Sequence, residues 1–74
     1  MIKQYDRVVL VDNVPKAHLV KGDVGTVIEI YNNGEGFEIE FFALDGTTIS
    51  VETLLKHQVR TVNKKEILHT RAYA

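Results

Sequence analysis

"KGDVGTVIEIYNNGEGFEIEFFALDGTTISVETL", residues 21–54, decides the fold of this chain. Apolar and polar residues alternate through it with the period of two shown by half-buried strands, and two turn signals divide it. Asn33-Gly34 is the favoured dipeptide of a two-residue type I′ hairpin, because both of its central positions need positive φ. That turn pairs Ile30 with Phe37, Ile28 with Ile39 and Thr26 with Phe41, which sets the large apolar side chains on one face. The second turn, "ALDGT" at 43–47, admits two registers. A two-residue Asp45-Gly46 loop pairs Phe41 with Ser50 and Ile39 with Glu52, and so mixes the faces. A three-residue Leu44-Asp45-Gly46 loop places Gly46 in the left-handed position beside a bulge and pairs Phe41 with Ile49 and Ile39 with Val51. The second arrangement keeps one face apolar and is the expected one. The core is then Ile28, Ile30, Phe37, Ile39, Phe41, Ile49 and Val51, joined by Val8 and Leu10 of an earlier strand.

The polar beat of the same stretch carries Glu29, Glu38, Glu40 and Glu52. In the expected register Glu29 faces Glu38, Glu38 faces Glu52, and Glu40 lies opposite Ser50. Like charges directly opposite one another destabilise a sheet, typically by a few tenths to about 1 kcal/mol. One reading is a solvated outer face that keeps the domain soluble and discourages wrong edge pairing. The other is an acidic stripe that receives a basic partner, either the chain's own Lys64, Lys65 and Arg71 or another protein.

Outward from this meander, "YDRVVLV" (5–11) is rich in β-branched residues and reads as the first strand. Residues 12–23 contain Pro15 and Gly22 and read as a loop, a place where specificity is often carried. Strands are expected at 24–31, 37–42, 47–54 and 59–62, with one helical turn at 55–58. Gly25 inside a strand signals a bulge or a close backbone approach. The barrel is expected to occupy residues 1–62 and a basic, partly apolar tail residues 63–74. That tail has strand-like composition, with Ile67, Leu68 and Tyr73 as apolar anchors. It is expected to dock along an edge of its own barrel or on a second copy.

Seventy-four residues make one domain, and a core of this size supplies roughly 3–5 kcal/mol. There is no cysteine, so no disulfide, thiol nucleophile or thiolate metal site is available, as suits a reducing cytoplasm. Residues 1–16 lack the apolar run and cleavage pattern of a secretory signal, and no apolar stretch is long enough for a membrane helix. The net charge of −1 gives no general attraction to nucleic acid or anionic lipid.

Five short, bent strands with a helical turn before the last suggest an all-β fold, a small SH3-like barrel. "DRVVL", "KGDVGTV" and "EFFALDGTT" resemble a family of small bacterial SH3-like proteins labelled a domain of unknown function, DUF4926. The likeness runs over most of residues 5–60. It implies the fold and carries over no catalytic residue. "KGDVGTVIEIY" is also similar to the corner element of KOW-type barrels, but Glu29 stands where basic residues would contact RNA.

His18, His57 and His69 fall in a loop, a turn and the tail, without the spacing of a metal site. The glutamates lie on an open sheet rather than in a cleft that would separate their pKa values for acid–base work. No lysine-bearing phosphate loop follows "NNGEG". The sequence therefore points away from an enzyme and from any cofactor or metal. It points to a protein-interaction module or small accessory, antitoxin-like partner, binding an unidentified protein or itself, with no membrane role. The candidate contact residues are Glu29, Glu38, Glu40, Glu52, Ile67, Leu68 and Tyr73. The alternative is a KOW-like nucleic-acid-binding barrel, which the thin spread of lysine and arginine disfavours.

Overall fold

Strands form where the alternation places them, in a computed structural model that describes residues 1–73. They are β1 (Arg7–Leu10), β2 (Val24–Tyr31), β3 (Gly36–Phe42), β4 (Thr48–Leu55) and β5 (Val59–Thr61). All neighbours are antiparallel, in the order β4-β3-β2-β1-β5 of one open sheet. That is the strand order of an SH3-like barrel. Among the described residues the only helical pieces are 3-10 turns at Pro15–Ala17, Asn32–Gly34 and Lys56–Gln58. The last of these carries the chain from β4 round to β5, as the broken alternation at 55–58 predicts. The strand-like composition of the tail does not become a strand: among the described residues none after Thr61 joins the sheet.

The β2–β3 hairpin keeps its expected register only near the turn. Tyr31 faces Gly36, Ile30 faces Phe37 and Glu29 faces Glu38. The turn is longer than two residues, with Asn32, Asn33 and Gly34 all at positive φ, and the pairing survives because one residue is added on each side. Beyond Glu29 the register shifts, so that Val27 faces Ile39 and Thr26 faces Glu40. Ile28 is the extra residue of a β-bulge, and its carbonyl accepts a hydrogen bond from Gln4 Nε2 at 2.9 Å. The expected pairs Ile28–Ile39 and Thr26–Phe41 are thereby corrected. The reason is steric and polar together. The bulge turns Val27 inward, keeps the Thr26 hydroxyl off the core, and lays Gly25 under the Phe41 ring. A Cβ on Gly25 would sit 2.5 Å from Ile39 Cγ2 and 2.9 Å from Phe41 Cε1.

The β3–β4 hairpin behaves in the same way. Its loop is the expected three-residue one: Ala43 N–H donates to Thr47 O at 2.8 Å, and Gly46 has φ +92. A second shift then follows, between Phe41 and Phe42, and leaves Ile49 unpaired. Past it Phe41 faces Ser50, Ile39 faces Glu52 and Phe37 faces Leu54. The register rejected on its mixed face is thus the real one over most of β4. It is tolerated because β4 is an edge strand whose inner face reaches the core centre only at Leu54. Ser50 and Glu52 stay half-buried at the rim.

The core is Val8, Leu10, Val14, Ala17, Leu19, Val27, Phe37, Ile39, Phe41, Leu54 and Val59, with Ile2 and Ile30 packed against it. Expected members Ile28 and Ile49 are only half-buried, and Val51 is exposed. The loop at 12–23 supplies three core residues, because the Val14–Leu19 bridge folds it back under the barrel. Val9 is also buried but belongs to no part of that cluster. It points to the opposite face, where it shares a cleft with Ile67 and Leu68 of the tail.

These registers separate two leucine-to-valine-sized positions cleanly. Leu54→Ala is expected to cost about 2–5 kcal/mol, whereas Val51→Ala, at 44% exposure, stays within about 0.5 kcal/mol of the parent. Gly25→Ala overpacks the Ile39–Phe41 contact and destabilises by about 1–3 kcal/mol. Urea denaturation of the three variants checks the order; a larger loss at position 51 than at position 54 would mean that β4 pairs in the other register.

Candidate interaction surface

The bulges decide which side chains share the outer face of β2, β3 and β4. β2 contributes Glu29 and Tyr31, β3 contributes Glu38, Glu40 and Phe42, and β4 contributes Val51, Thr53 and Leu55. Glu29 stands directly opposite Glu38, as expected, while Thr53 faces Glu38 and Val51 faces Glu40. Glu52 leaves the stripe. It points to the inner face, where its carboxylate accepts a hydrogen bond from Ser50 Oγ. The stripe is therefore Glu29, Glu38 and Glu40, and the one-residue slip at Ile49 is what removes its fourth expected member.

Hydroxyls, not cations, hold the Glu38 and Glu40 carboxylates. Thr53 Oγ1 donates to Glu38 Oε1 at 2.6 Å, and Thr48 Oγ1 donates to Glu40 Oε2 at 2.7 Å. The ion pairs among the described residues are Lys56–Glu35, Arg60–Glu66 and Arg71–Asp23, and none reaches the stripe. The negative field shows on Tyr31, whose phenol is pushed above its ordinary pKa by partial desolvation and then by the charges of Glu38 and Glu29. Apolar surface lies beside the acids: Tyr31, Phe42, Val51 and Leu55 are all exposed.

The tail lies elsewhere and does not neutralise the stripe. Its first turn is closed by Asn63 N–H donating to Glu66 Oε1 (2.7 Å), and Arg60 grips Glu66 through both guanidinium ends at 2.8 and 2.6 Å. Its far end is held by Arg71, which forks onto Asp23 at 2.8 and 2.6 Å and also donates to His18 O at 3.0 Å. Tyr73 Oη donates to Ala17 O at 2.8 Å. Between these clasps Ile67 is 86% exposed, so the expected anchor is polar rather than aliphatic. Under the span lies a cleft of about 440 Å³ lined by Leu19, Val24, Phe42, Leu44, Ile49 and Leu68. Its charged members, Asp23 and Arg71, are bound to each other. Among the described residues no group of three histidines or acids could hold a metal ion.

The pairings of Arg60 with Glu66 and of Arg71 with Asp23 escaped the sequence reading, which offered Arg71 to the acidic stripe instead. Asp23 and Arg71 are 48 residues apart, and no local pattern couples them. Glu66 gave the only signal, as an acid three residues after Asn63.

Both clasps are acid-labile. The Arg60 fork, and then the Asn63 N–H, hold the Glu66 carboxyl down to about pKa 2. Burial works to raise Asp23, but the Arg71 hydrogen bonds, the Val20 N–H and the Arg71 charge outweigh it and leave it lowered. A carboxylate lowered in the folded state stabilises above its unfolded pKa and loses that contribution as pH falls through the folded one. Tail docking is therefore expected to be complete at neutral pH and to weaken between about pH 4 and pH 2. The Tyr73 ring resonances followed by NMR check it. Arg71→Ala should release Tyr73 at neutral pH, with the sheet intact.

Neither a curated protein nor a solved structure matches this chain. The family described as Domain of unknown function (DUF4926) matches residues 4–61, which takes in every strand and stops short of the tail. The chain belongs to that family.

Proposed function

We propose that this protein is a non-catalytic protein-interaction module, a small accessory or antitoxin-like partner of another bacterial protein in the cytoplasm. The outer face of β2, β3 and β4 is its contact surface. The observation that carries this reading is the row Glu29, Glu38 and Glu40, which no ion pair among the described residues reaches and which runs beside exposed Tyr31, Phe42, Val51 and Leu55. Solubility calls for surface charge, but not for like charges set opposite one another, nor for aromatic and aliphatic side chains left bare beside them. Interfaces combine those two features: exposed apolar anchors, and charge that steers and selects the partner. The same acids oppose a phosphate backbone, so nucleic acid is expected to bind no tighter than about 10⁻⁴ M at physiological salt.

The test uses the triple variant Glu29→Lys, Glu38→Lys, Glu40→Lys. It is expected to keep the parent's melting temperature while losing the protein that the parent captures stoichiometrically from native lysate. Fluorescence anisotropy with RNA and DNA runs alongside. Capture indifferent to the charge reversal would remove the face from consideration, and a micromolar, steeply salt-dependent affinity for nucleic acid would replace the proposal with a nucleic-acid-binding one.

A further inference from the structure

We infer that the free edge of β4 is the docking strand, and that it takes an extended, basic segment of the partner as a sixth strand of the sheet. The inference rests on the interaction-module reading and adds to it the mode of binding and the chemistry of what binds.

The two edges of the sheet differ. β5 has only three residues, and its pairing with β1 ends at the Val62 N–H to Arg7 O bond, after which the chain turns into the Arg60–Glu66 clasp. β4 has eight residues. Among the described residues, no hydrogen bond outside the β3 pairing reaches the backbone of residues 48–54. An unpaired row of N–H and C=O groups of that length is a template for strand addition. Its outer side chains, Thr48, Val51, Thr53 and Leu55, are uncharged and exposed, so an added strand meets apolar and β-branched neighbours on that face.

Charge then selects the occupant. An added strand would lie about 4.8 Å from β4 and about twice that from β3. A lysine or arginine level with Thr53 or Val51 spans that second distance and meets Glu38 or Glu40, which face those residues across the β3–β4 pair. On the other face a basic residue beside Glu52 meets a carboxylate with only Ser50 for company. The same Glu52, pointing inward on an edge strand, and the bulge at Ile49 are the devices that turn away uncharged strands. They also turn away a second copy, since β4 laid antiparallel on itself brings the two Glu52 side chains together on one face. The fitting segment is extended, with basic residues on both faces and an apolar residue level with Val51.

The probe is the peptide acetyl-Thr-Val-Val-Lys-Arg-Val-Thr-Lys-amide, titrated into the full chain and followed by amide NMR and hydrogen exchange. The expected result is saturable binding with new protection of alternate amides in residues 48–54. Glu52→Lys should weaken it roughly tenfold, and so should N-methylation of one alternate set of peptide amides but not of the other. A version with both basic residues at the centre replaced by Glu should not bind. Binding that both N-methylated peptides retain, and that Glu38→Lys abolishes, would overturn strand addition while leaving the acidic face as the contact surface. Failure of the basic peptide to bind better than its acidic counterpart would overturn the inference outright. Loss of the lysate partner's charge dependence would instead count against the parent reading. A concentration-dependent rise in mass without peptide would assign the edge to a second copy.

Discussion

The contact of Gly25 with Phe41 and Ile39 is the constraint around which the sheet is arranged. Protein interiors are packed densely enough that a single methyl group is felt. Here the backbone of β2 lies so close to β3 that a Cβ at position 25 would fall 2.5 Å from Ile39 Cγ2. That approach requires position 25 to face inward. Position 30 also faces inward, opposite Phe37. Two inward positions an odd number of residues apart cannot be reconciled in a regular strand, because successive side chains alternate. One extra residue must be absorbed between them, and Ile28 absorbs it. The bulge also bends β2 so that its first half pairs with β1 while its second half serves β3 alone. A barrel of so few strands needs that bend to enclose a core.

The consequences pass to the surface. Once Val27 and Gly25 face the core, Thr26 and Glu29 face out, and the carboxylates of β2 and β3 fall into one row. The second bulge, at Ile49, moves Glu52 out of that row and onto the inner rim, and puts Val51 and Leu55 beside the acids instead. The candidate surface is therefore a product of two irregularities. With regular strands it would have been a purely acidic band of four glutamates over an apolar core. As built, it is an acidic row with an uncharged, exposed strand along one side.

The tail obeys different physics. Its apolar residues remain largely in solvent, and its position is set by two bidentate arginine–carboxylate pairs and a tyrosine hydroxyl. Planar guanidinium forks fix direction as well as distance, so the tail has a defined path without a strand or a helix. Exposed pairs of this kind are individually weak. The path also runs beside Val9, which is buried on the face away from the core and shares a cleft with Ile67 and Leu68.

What the sequence by itself determined was local. Alternation and β-branched composition marked the strands of the sheet, "ALDGT" narrowed its loop to two alternatives, and the order of elements implied the SH3-like connectivity, because each depends on neighbours within a few residues. Glu29 opposite Glu38 was legible for the same reason, since it sits next to the turn that sets it. Tertiary structure alone decided the two bulges, the place of Leu54 rather than Val51 in the core, and the removal of Glu52 from the acidic row. A bulge costs one ladder position and is chosen by the fit of side chains from other strands, which no window along the chain contains. It decided equally that Asp23 would meet Arg71, because a salt bridge between residues 48 apart depends on a fold that must already exist before the two can find each other.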